Sequence, residues 1–152
     1  MPECEAGPRL ALVAQSVPGA AYVPCVRHLP EEWSVRSFHA GRDGAAFTLV
    51  PRGPGSRPVR VEFVAGCDVT GAVPATPRAE GVRTSIRLVA IAPRYTGTLT
   101  DAFAGGCVTY RFDFARGPHI ALMEQLGAAV GLFSRRELSL DLHHQLGVDL
   151  DP

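Results

Sequence analysis

The residues with the clearest chemical potential are four cysteines, Cys4, Cys25, Cys67 and Cys107. They are even in number and widely scattered, and no two are spaced as Cys-x-x-Cys. A structural zinc site brings its ligands in close pairs, and a thioredoxin-like centre needs two close thiols. We therefore predict no metal, no cofactor and no redox pair. The interpretation we adopt is two disulfides in an oxidising compartment, and the alternative is four inert thiols in a cytosolic protein.

Position along the chain favours the pairing Cys4–Cys25 and Cys67–Cys107. Cys4 and Cys25 bracket a proline-rich segment that has little regular structure to hold it in place. Cys67 lies at the core-facing end of one alternating strand, and Cys107 begins another. Antiparallel neighbours bring such strand ends within the reach of a disulfide.

Histidines and acids are the candidates for catalysis. The sequence contains no Gly-x-Ser-x-Gly elbow, no His-Glu-x-x-His motif and no P-loop. His143 and His144 are adjacent, so on a helix their rings diverge by about 100° and do not chelate one ion. We assign no catalytic residue. The alternative is a small cell-surface hydrolase or transferase that uses His119 or His143 with a neighbouring acid.

Arginines on the predicted strands are the candidates for binding. Arg83 and Arg87 alternate with apolar residues and share one face of their strand, and Arg111 and Thr109 share the outer face of another. Such a patch is suited to a protein partner's acids or to an anionic envelope component. The alternative is a purely structural role for Arg111, in which it forms a cross-strand ion pair with Asp101 or Asp113.

Composition narrows the classes of function. The chain has 152 residues, and its 15 basic residues balance 15 acidic ones, which argues against a nucleic-acid binder or a polybasic membrane-surface protein. Every basic residue is arginine and asparagine is absent, as expected of a high-GC genome. No apolar run is long enough to span a membrane, and no signal peptide opens the chain. If the protein is exported, we expect a leader or anchor that this chain lacks.

Periodicity predicts the elements that position these side chains. The pattern predicts an irregular N-terminal arm over residues 1–30. It predicts five to six strands over residues 31–115, one of them with a bulge near Phe38. The strand that begins at Val82 is expected to face the core through alternate residues: Val82, Thr84, Ile86, Leu88 and Ala90.

After Gly117 the period becomes helical over residues 117–147, and residues 148–152 form a tail. The first helix is expected to face the core through Ile120, Met123, Leu126 and Val130. A capping box from Ser134 to Glu137 opens the second helix, which presents Leu138, Leu142 and Leu146. We therefore predict a single α+β domain, with one antiparallel sheet and two C-terminal helices packed on one face.

Three groups of residues carry a family resemblance. They are Val-Pro-Cys-Val-Arg at 23–27 with Leu-Pro and Trp at 29–33, Gly-Cys-Asp at 66–68, and Gly-Gly-Cys-Val-Thr-Tyr-Arg-Phe at 105–112. Over residues 4–142 the chain resembles a group of uncharacterised proteins of high-GC Gram-positive bacteria, in which a short membrane anchor precedes a small domain outside the cell. The resemblance implies an extracytoplasmic location and disulfides, and it implies no reaction.

These observations favour a non-enzymatic, disulfide-stabilised extracytoplasmic domain that binds another cell-envelope component or a protein. The surface hydrolase or transferase is one alternative. A cytosolic interaction or regulatory protein with free thiols is the other.

Overall fold

The computed structural model describes residues 8–27, 29–51, 57–147 and 149–150, and within them it contains three helices and nine strands. The helices are α1 (Pro8–Ser16), α2 (His119–Ala129) and α3 (Arg135–Leu146). The strands are β1 (Tyr22–Val26), β2 (Ser34–Gly41), β3 (Gly44–Val50), β4 (Val59–Val64), β5 (Val73–Ala75), β6 (Arg83–Ala90), β7 (Arg94–Phe103), β8 (Gly106–Ala115) and β9 (Val130–Ser134).

The described strands form two sheets. Seven strands make an antiparallel sheet in the order β2-β3-β4-β8-β7-β6-β5, and β1 pairs with β9 in a second, two-stranded sheet. The predicted α+β class and antiparallel sheet are confirmed, but the large sheet exceeds the predicted five to six strands. The additional strand β5 has three residues and lies in a segment rich in Pro and Ala, where no alternation could reveal it.

The N-terminal arm is not irregular over its described part, which contains α1 and β1. The arm is fixed at the β7–β8 hairpin, where the amide of Ala21 donates to the carbonyl of Ala104 over 2.8 Å. Gly105 turns this hairpin at φ +78°, and a β-carbon there would overlap the carbonyl oxygen of Gly19. A glycine is therefore required for both the turn and the close approach.

One face of the large sheet forms most of the core. Phe47, Val61 and Tyr110 lie in register on three neighbouring strands, and each is at least 95% buried. The alternating neighbours of Tyr110, Thr109 and Arg111, lie on the opposite face. Helix α1 packs against β2 and β3, and α2 packs against β8 and β9, so one face is covered and the other, the outer face, meets solvent.

Strand β2 carries the predicted bulge. Its register with β3 shifts between Arg36 and His39, and Ser37 has φ 56°. Because β2 is an edge strand, the bulge also disrupts the ladder that another chain would need for pairing.

The prediction of which residues of β6 face the core is wrong for the second half of the strand. Val82 and Thr84 are buried, but Leu88 is 39% exposed and the adjacent Val89 is 75% exposed. Alternation gives the direction of a side chain, but it does not say how far the covering layer extends. This half of β6 runs past the elements that cover the core.

The predicted helix faces need two corrections. Helix α2 buries Leu122, Leu126 and Ala129, whereas Ile120 is 65% exposed. Because α2 is apolar around much of its circumference, periodicity alone could not choose between these two faces. Val130, which was expected on this helix, begins β9 instead.

The predicted start of α3 at Ser134 is confirmed, since the Glu137 amide donates to the Ser134 hydroxyl over 3.2 Å, which is the serine half of a capping box. Leu138 and Leu142 are fully buried, as predicted. Leu146 is 43% exposed, because the helix ends there and Gly147 adopts a left-handed C-terminal cap.

A fully buried carboxylate, Asp101, lies on the inner face of β7. One of its oxygens accepts from the Thr84 hydroxyl over 2.8 Å, and the other accepts from the Tyr110 hydroxyl over 3.0 Å and from Arg78 Nη1 over 3.1 Å. Burial, and after it the charge of Asp101, raises the pKa of Tyr110 above its ordinary value. The Tyr110 hydroxyl therefore remains a donor at neutral pH.

Arg78 joins this carboxylate to the helical layer. Its Nη2 donates to the carbonyl of Gly127 over 2.8 Å and also to the carbonyl of Val130. These carbonyls belong to the last turn of α2 and to the residue that follows it, where no amide of the helix can satisfy them. A single guanidinium thus links the sheet to α2 and β9.

We expect Asp101→Asn to lower the free energy of unfolding by about 3–5 kcal/mol, because it leaves the largely buried Arg78 cation without its counter-charge. The matched control is Asp113→Asn on the outer face, which should cost about 1 kcal/mol because Asp113 is partly solvated. Urea denaturation of both variants measures the difference. Equal losses would contradict a dominant role for the buried pair.

We expect Leu142→Ala to lower the free energy of unfolding by about 2–5 kcal/mol, as for other core truncations. The same substitution at Leu146, one turn later on α3, should change it by no more than about 0.5 kcal/mol because that side chain is already exposed. Thermal and urea denaturation of the two variants test this. His143→Ala should match Leu146→Ala.

Candidate functional site

The outer face of the large sheet carries a row of arginines that runs across the strands. The register places Arg60 of β4 opposite Arg111 of β8, Arg111 opposite Thr98 of β7, and Thr98 opposite Arg87 of β6. We refer to Arg60, Arg111 and Arg87 as the basic row. With strands about 4.8 Å apart, the row is about 15 Å long at the backbone.

A second row lies two residues further along the same strands. It consists of Glu62, Thr109, Thr100 and Ser85, which are in register across β4, β8, β7 and β6. We refer to Thr109, Thr100 and Ser85 as the hydroxyl row. Thr109 and Ser85 are partly exposed, whereas Thr100 is 5% exposed. Acidic, basic and hydroxyl groups therefore lie side by side on one face.

Glu62 holds part of the basic row in place. Its carboxylate lies 3.1 Å from Arg111 Nε and 3.6 Å from Arg60 Nε. Directly opposed like charges destabilise a sheet, and Glu62 offsets this repulsion between Arg60 and Arg111. Arg60 and Arg111 are more than half exposed, so each ion pair contributes little to stability.

An open groove of about 360 Å³ lies over these rows. Its polar lining consists of Glu62, Asp68, Arg87, Thr98, Thr100, Thr109 and Arg111. The structure thus brings together three of the four residues that the sequence selected for binding, Arg87, Thr109 and Arg111. Their participation in binding remains a prediction.

The fourth selected residue, Arg83, does not share this groove. It lies on the same face of β6, but four residues from Arg87, which is about 13 Å along a strand. It lines a neighbouring groove whose other walls include Val69, Pro74 and Ala75. The alternation that placed Arg83 and Arg87 on one face could not show that they would lie in separate grooves.

The Cys67–Cys107 disulfide forms one end of the groove, and the predicted pairing of these two cysteines is confirmed. Their Cα atoms are 6.2 Å apart. Cys107 alternates with Thr109 on the outer face, so the bond does not lie in the core-facing position expected for Cys67. The chain leaves β4 at Val64 and turns outward, which breaks the alternation before Cys67 is reached.

The other predicted disulfide, Cys4–Cys25, stays a prediction because Cys4 lies outside the described residues. Among the described residues no cysteine is free.

The segment after Cys67 orients Arg87. The Asp68 carboxylate accepts from the Thr70 amide over 2.9 Å and from the Thr70 hydroxyl over 2.6 Å. These bonds, with a smaller contribution from the charge of Arg87, hold the pKa of Asp68 below its ordinary value. The carbonyl of Thr70 then accepts from Arg87 Nη1 over 3.0 Å. The disulfide ties this segment to β8, so it also restricts where Arg87 can lie.

A separate ion cluster surrounds Asp113 beyond the other side of the basic row. Asp113 accepts from Arg94 Nε over 2.5 Å and from Arg57 over 3.1 Å. The bond from Arg94 is the main reason that the pKa of Asp113 lies below its ordinary value. The alternative ion pair of Arg111 with Asp101 or Asp113 is wrong, since Arg111 pairs with Glu62.

The two histidines considered for catalysis, His119 and His143, lie on α2 and α3 and do not line either groove. His119 stacks on Tyr95 at 4.5 Å between ring centroids, and its Nδ1 accepts from the Gly117 amide over 3.3 Å. His143 Nδ1 lies 2.8 Å from the Asp149 carboxylate, but the two side chains are 63% and 82% exposed. No histidine is among the residues that line the two grooves described above.

Two searches for other sites concern only the part of the chain that the structure describes. No group of three or more His, Cys, Asp or Glu side chains there could hold a metal ion. No helix there is both long and apolar enough to span a bilayer.

Sequence reasoning missed five polar residues of this surface: Arg60, Glu62, Asp68, Thr98 and Thr100. Arg60 and Glu62 occupy the polar positions of a well-alternating strand, so their exposure could be read from the sequence. Their place beside Arg111 depends on the pairing of β4 with β8, which are separated along the chain by three other strands.

In comparisons with known proteins, no family model, no curated protein and no solved structure matches the chain.

We expect the double variant Cys67→Ser/Cys107→Ser to lose up to about 4 kcal/mol of folding free energy, the loop-closure value for a separation of 40 residues. Urea denaturation of the variant, and of the wild type with and without reductant, measures this loss. The predicted pair Cys4–Cys25 supplies the control, because Cys4→Ser/Cys25→Ser should mainly loosen the N-terminus. If the first double variant were as stable as the oxidised wild type, the disulfide would not stabilise the fold.

Proposed function

We propose that this protein is a non-enzymatic, disulfide-stabilised extracytoplasmic domain that binds an acidic group of another cell-envelope component or protein in the groove on its outer face. The observation that carries the proposal is the convergence of Arg87 and Arg111 on one polar groove. The resemblance to membrane-anchored proteins of high-GC Gram-positive bacteria is in keeping with this location.

The disulfide supports an extracytoplasmic location. Disulfides persist in oxidising environments and are rare in the cytosol. Cys67 and Cys107 are bonded to each other, and the described chain has no free cysteine. A cytosolic protein with free thiols is therefore the less favoured alternative.

The two arginines retain donors for a ligand. Arg111 donates through Nε to Glu62, and Arg87 donates through Nη1 to Thr70. Within the described residues, neither of the η nitrogens of Arg111 has a hydrogen-bond acceptor, nor does Nη2 of Arg87. A guanidinium with free η nitrogens can bind a carboxylate or a phosphate through charge-assisted hydrogen bonds.

The acids of the groove are already occupied. Glu62 is shared by Arg60 and Arg111, and Asp68 accepts two hydrogen bonds from Thr70. Among the charged groups of the groove, the unused hydrogen-bonding capacity therefore lies mainly with the cations. This favours an anionic ligand over a cationic one.

The proposal predicts that Arg87→Glu/Arg111→Glu weakens binding of a soluble anionic probe, sulfated dextran oligomers, by at least about tenfold. Arg83→Glu reverses one charge on the strand of Arg87, which is half the charge change of the double variant, and should change the dissociation constant by less than about threefold, because its backbone lies about 13 Å from Arg87, beyond the Debye length of about 8 Å at 0.15 M salt. Isothermal titration calorimetry measures both.

Neutral dextran is the control ligand and should not bind. If charge reversal at Arg87 and Arg111 leaves the affinity for the sulfated probe unchanged, the groove is not the binding site. An equal loss in Arg83→Glu would indicate attraction to the overall charge of the protein rather than to this groove.

A further inference from the structure

We propose that the ligand of this groove is a linear oligosaccharide that carries carboxylates and lies across the strands, with its acids on the basic row and its hydroxyls on the hydroxyl row. This inference rests on the proposed function and names the class of ligand. It concerns three arginines, of which Arg60 lies on the row but not in the lining of the groove.

The length of the basic row argues for a chain of anions rather than a single one. Arg60 and Arg111 lie on adjacent strands, and Arg111 and Arg87 are separated by one strand. The three backbones therefore lie about 5 and 10 Å apart. A lone carboxylate or phosphate can contact one or two of these guanidinium groups, whereas an oligomer laid across the strands can contact all three.

The spacing between neighbouring strands matches the length of one sugar residue in an extended oligosaccharide. A pyranose in an extended oligosaccharide is about as long as the spacing between neighbouring strands, so such a chain can place one sugar over each strand. A ligand of this kind would present acids to Arg111 and Arg87 with an intervening sugar over Thr98.

The row beside the arginines has the chemistry that sugar hydroxyls need. Thr109 is partly exposed; its hydroxyl lies 3.2 Å from Cys67 Sγ, which it reaches as a donor, and its oxygen still accepts. Ser85 is partly exposed and can both donate and accept, although it lines the neighbouring groove with Arg83. An acidic peptide would use the arginines but has few hydroxyls for these groups.

The groove also lacks the features that anchor a protein partner. None of the described residues that line it is aromatic, and its apolar lining is small, with Val64 the largest apolar side chain. Protein interfaces draw most of their affinity from buried aromatic and other large side chains. The lining therefore argues against a protein partner, and the case for a glycan rests on the hydroxyl groups beside the arginines.

Three hexameric or dimeric probes test this by calorimetry: hexagalacturonate, which carries carboxylates on sugars; hexaglutamate, with the same number of carboxylates on a peptide; and digalacturonate. We expect hexagalacturonate to bind at least about tenfold more tightly than either of the others. If hexaglutamate bound as tightly as hexagalacturonate, the inference that the ligand is a sugar would be wrong. If digalacturonate bound as tightly, the inference that the ligand is an extended chain would be wrong.

Two variants locate the contacts. Arg60→Glu should weaken hexagalacturonate binding at least about fivefold, although this residue is not needed by the proposed function. Thr109→Val keeps the shape of the side chain and should weaken hexagalacturonate binding about three- to tenfold while leaving hexaglutamate binding unchanged. Arg42→Glu, in the exposed turn between β2 and β3, is the matched control, and circular dichroism checks that each variant is folded.

The outcomes separate the two proposals. If sulfated dextran binds through Arg87 and Arg111 but hexagalacturonate binds no better than hexaglutamate, the sugar inference is wrong and the proposed function stands. If none of the anionic probes binds the wild-type protein, both are wrong. If Arg60→Glu and Thr109→Val both leave hexagalacturonate affinity unchanged, the ligand does not follow the two rows.

Discussion

The buried pair of Asp101 and Arg78 is the interaction on which the arrangement of the layers depends. Asp101 gathers hydrogen bonds from β6 and β8 through Thr84 and Tyr110, and Arg78 extends the network to the carbonyls that follow α2. A charge in this position is costly unless every polar atom around it has a partner. The network therefore favours one placement of the helical layer on the sheet, whereas apolar packing alone would tolerate several.

Two groups of arginines among the described residues differ in what they contact. On the covered side, Arg27, Arg78 and Arg135 donate to backbone carbonyls at the ends of helices: Arg27 to Ala128, Arg78 to Gly127 and Val130, and Arg135 to Ala14 and Val17. These cations complement the negative ends of α1 and α2. On the outer face, Arg87 and Arg111 keep free donors. The first group positions the elements, and the second is available to a ligand.

The groove depends on this scaffold. Its floor is the middle of the large sheet, where β7 and β8 are paired along their whole length, and its end is closed by a covalent bond. Because the strands are fixed by ladders on both sides, the spacing of Arg111, Thr98 and Arg87 is set before any ligand arrives. A site of this kind loses little conformational freedom on binding.

The sequence by itself determined what depends on neighbours in the chain. Strict alternation in β4 and β8 identified the two faces, Ser134 and Glu137 identified the start of α3, and the positions of Cys67 and Cys107 at strand ends identified their bond. Each of these signals is local, or depends on the pairing of two strong strands.

Only the tertiary structure decided which residues meet. The partner of Arg78, the exposure of Leu88 and the separation of Arg83 from Arg87 all depend on strand order and on how far the covering layer reaches. The pairing of β1 with β9 joins segments more than a hundred residues apart. Such short strands carry too few alternating positions to be recognised, and an arginine can reach several acceptors, so its contacts are fixed only once the layers have packed.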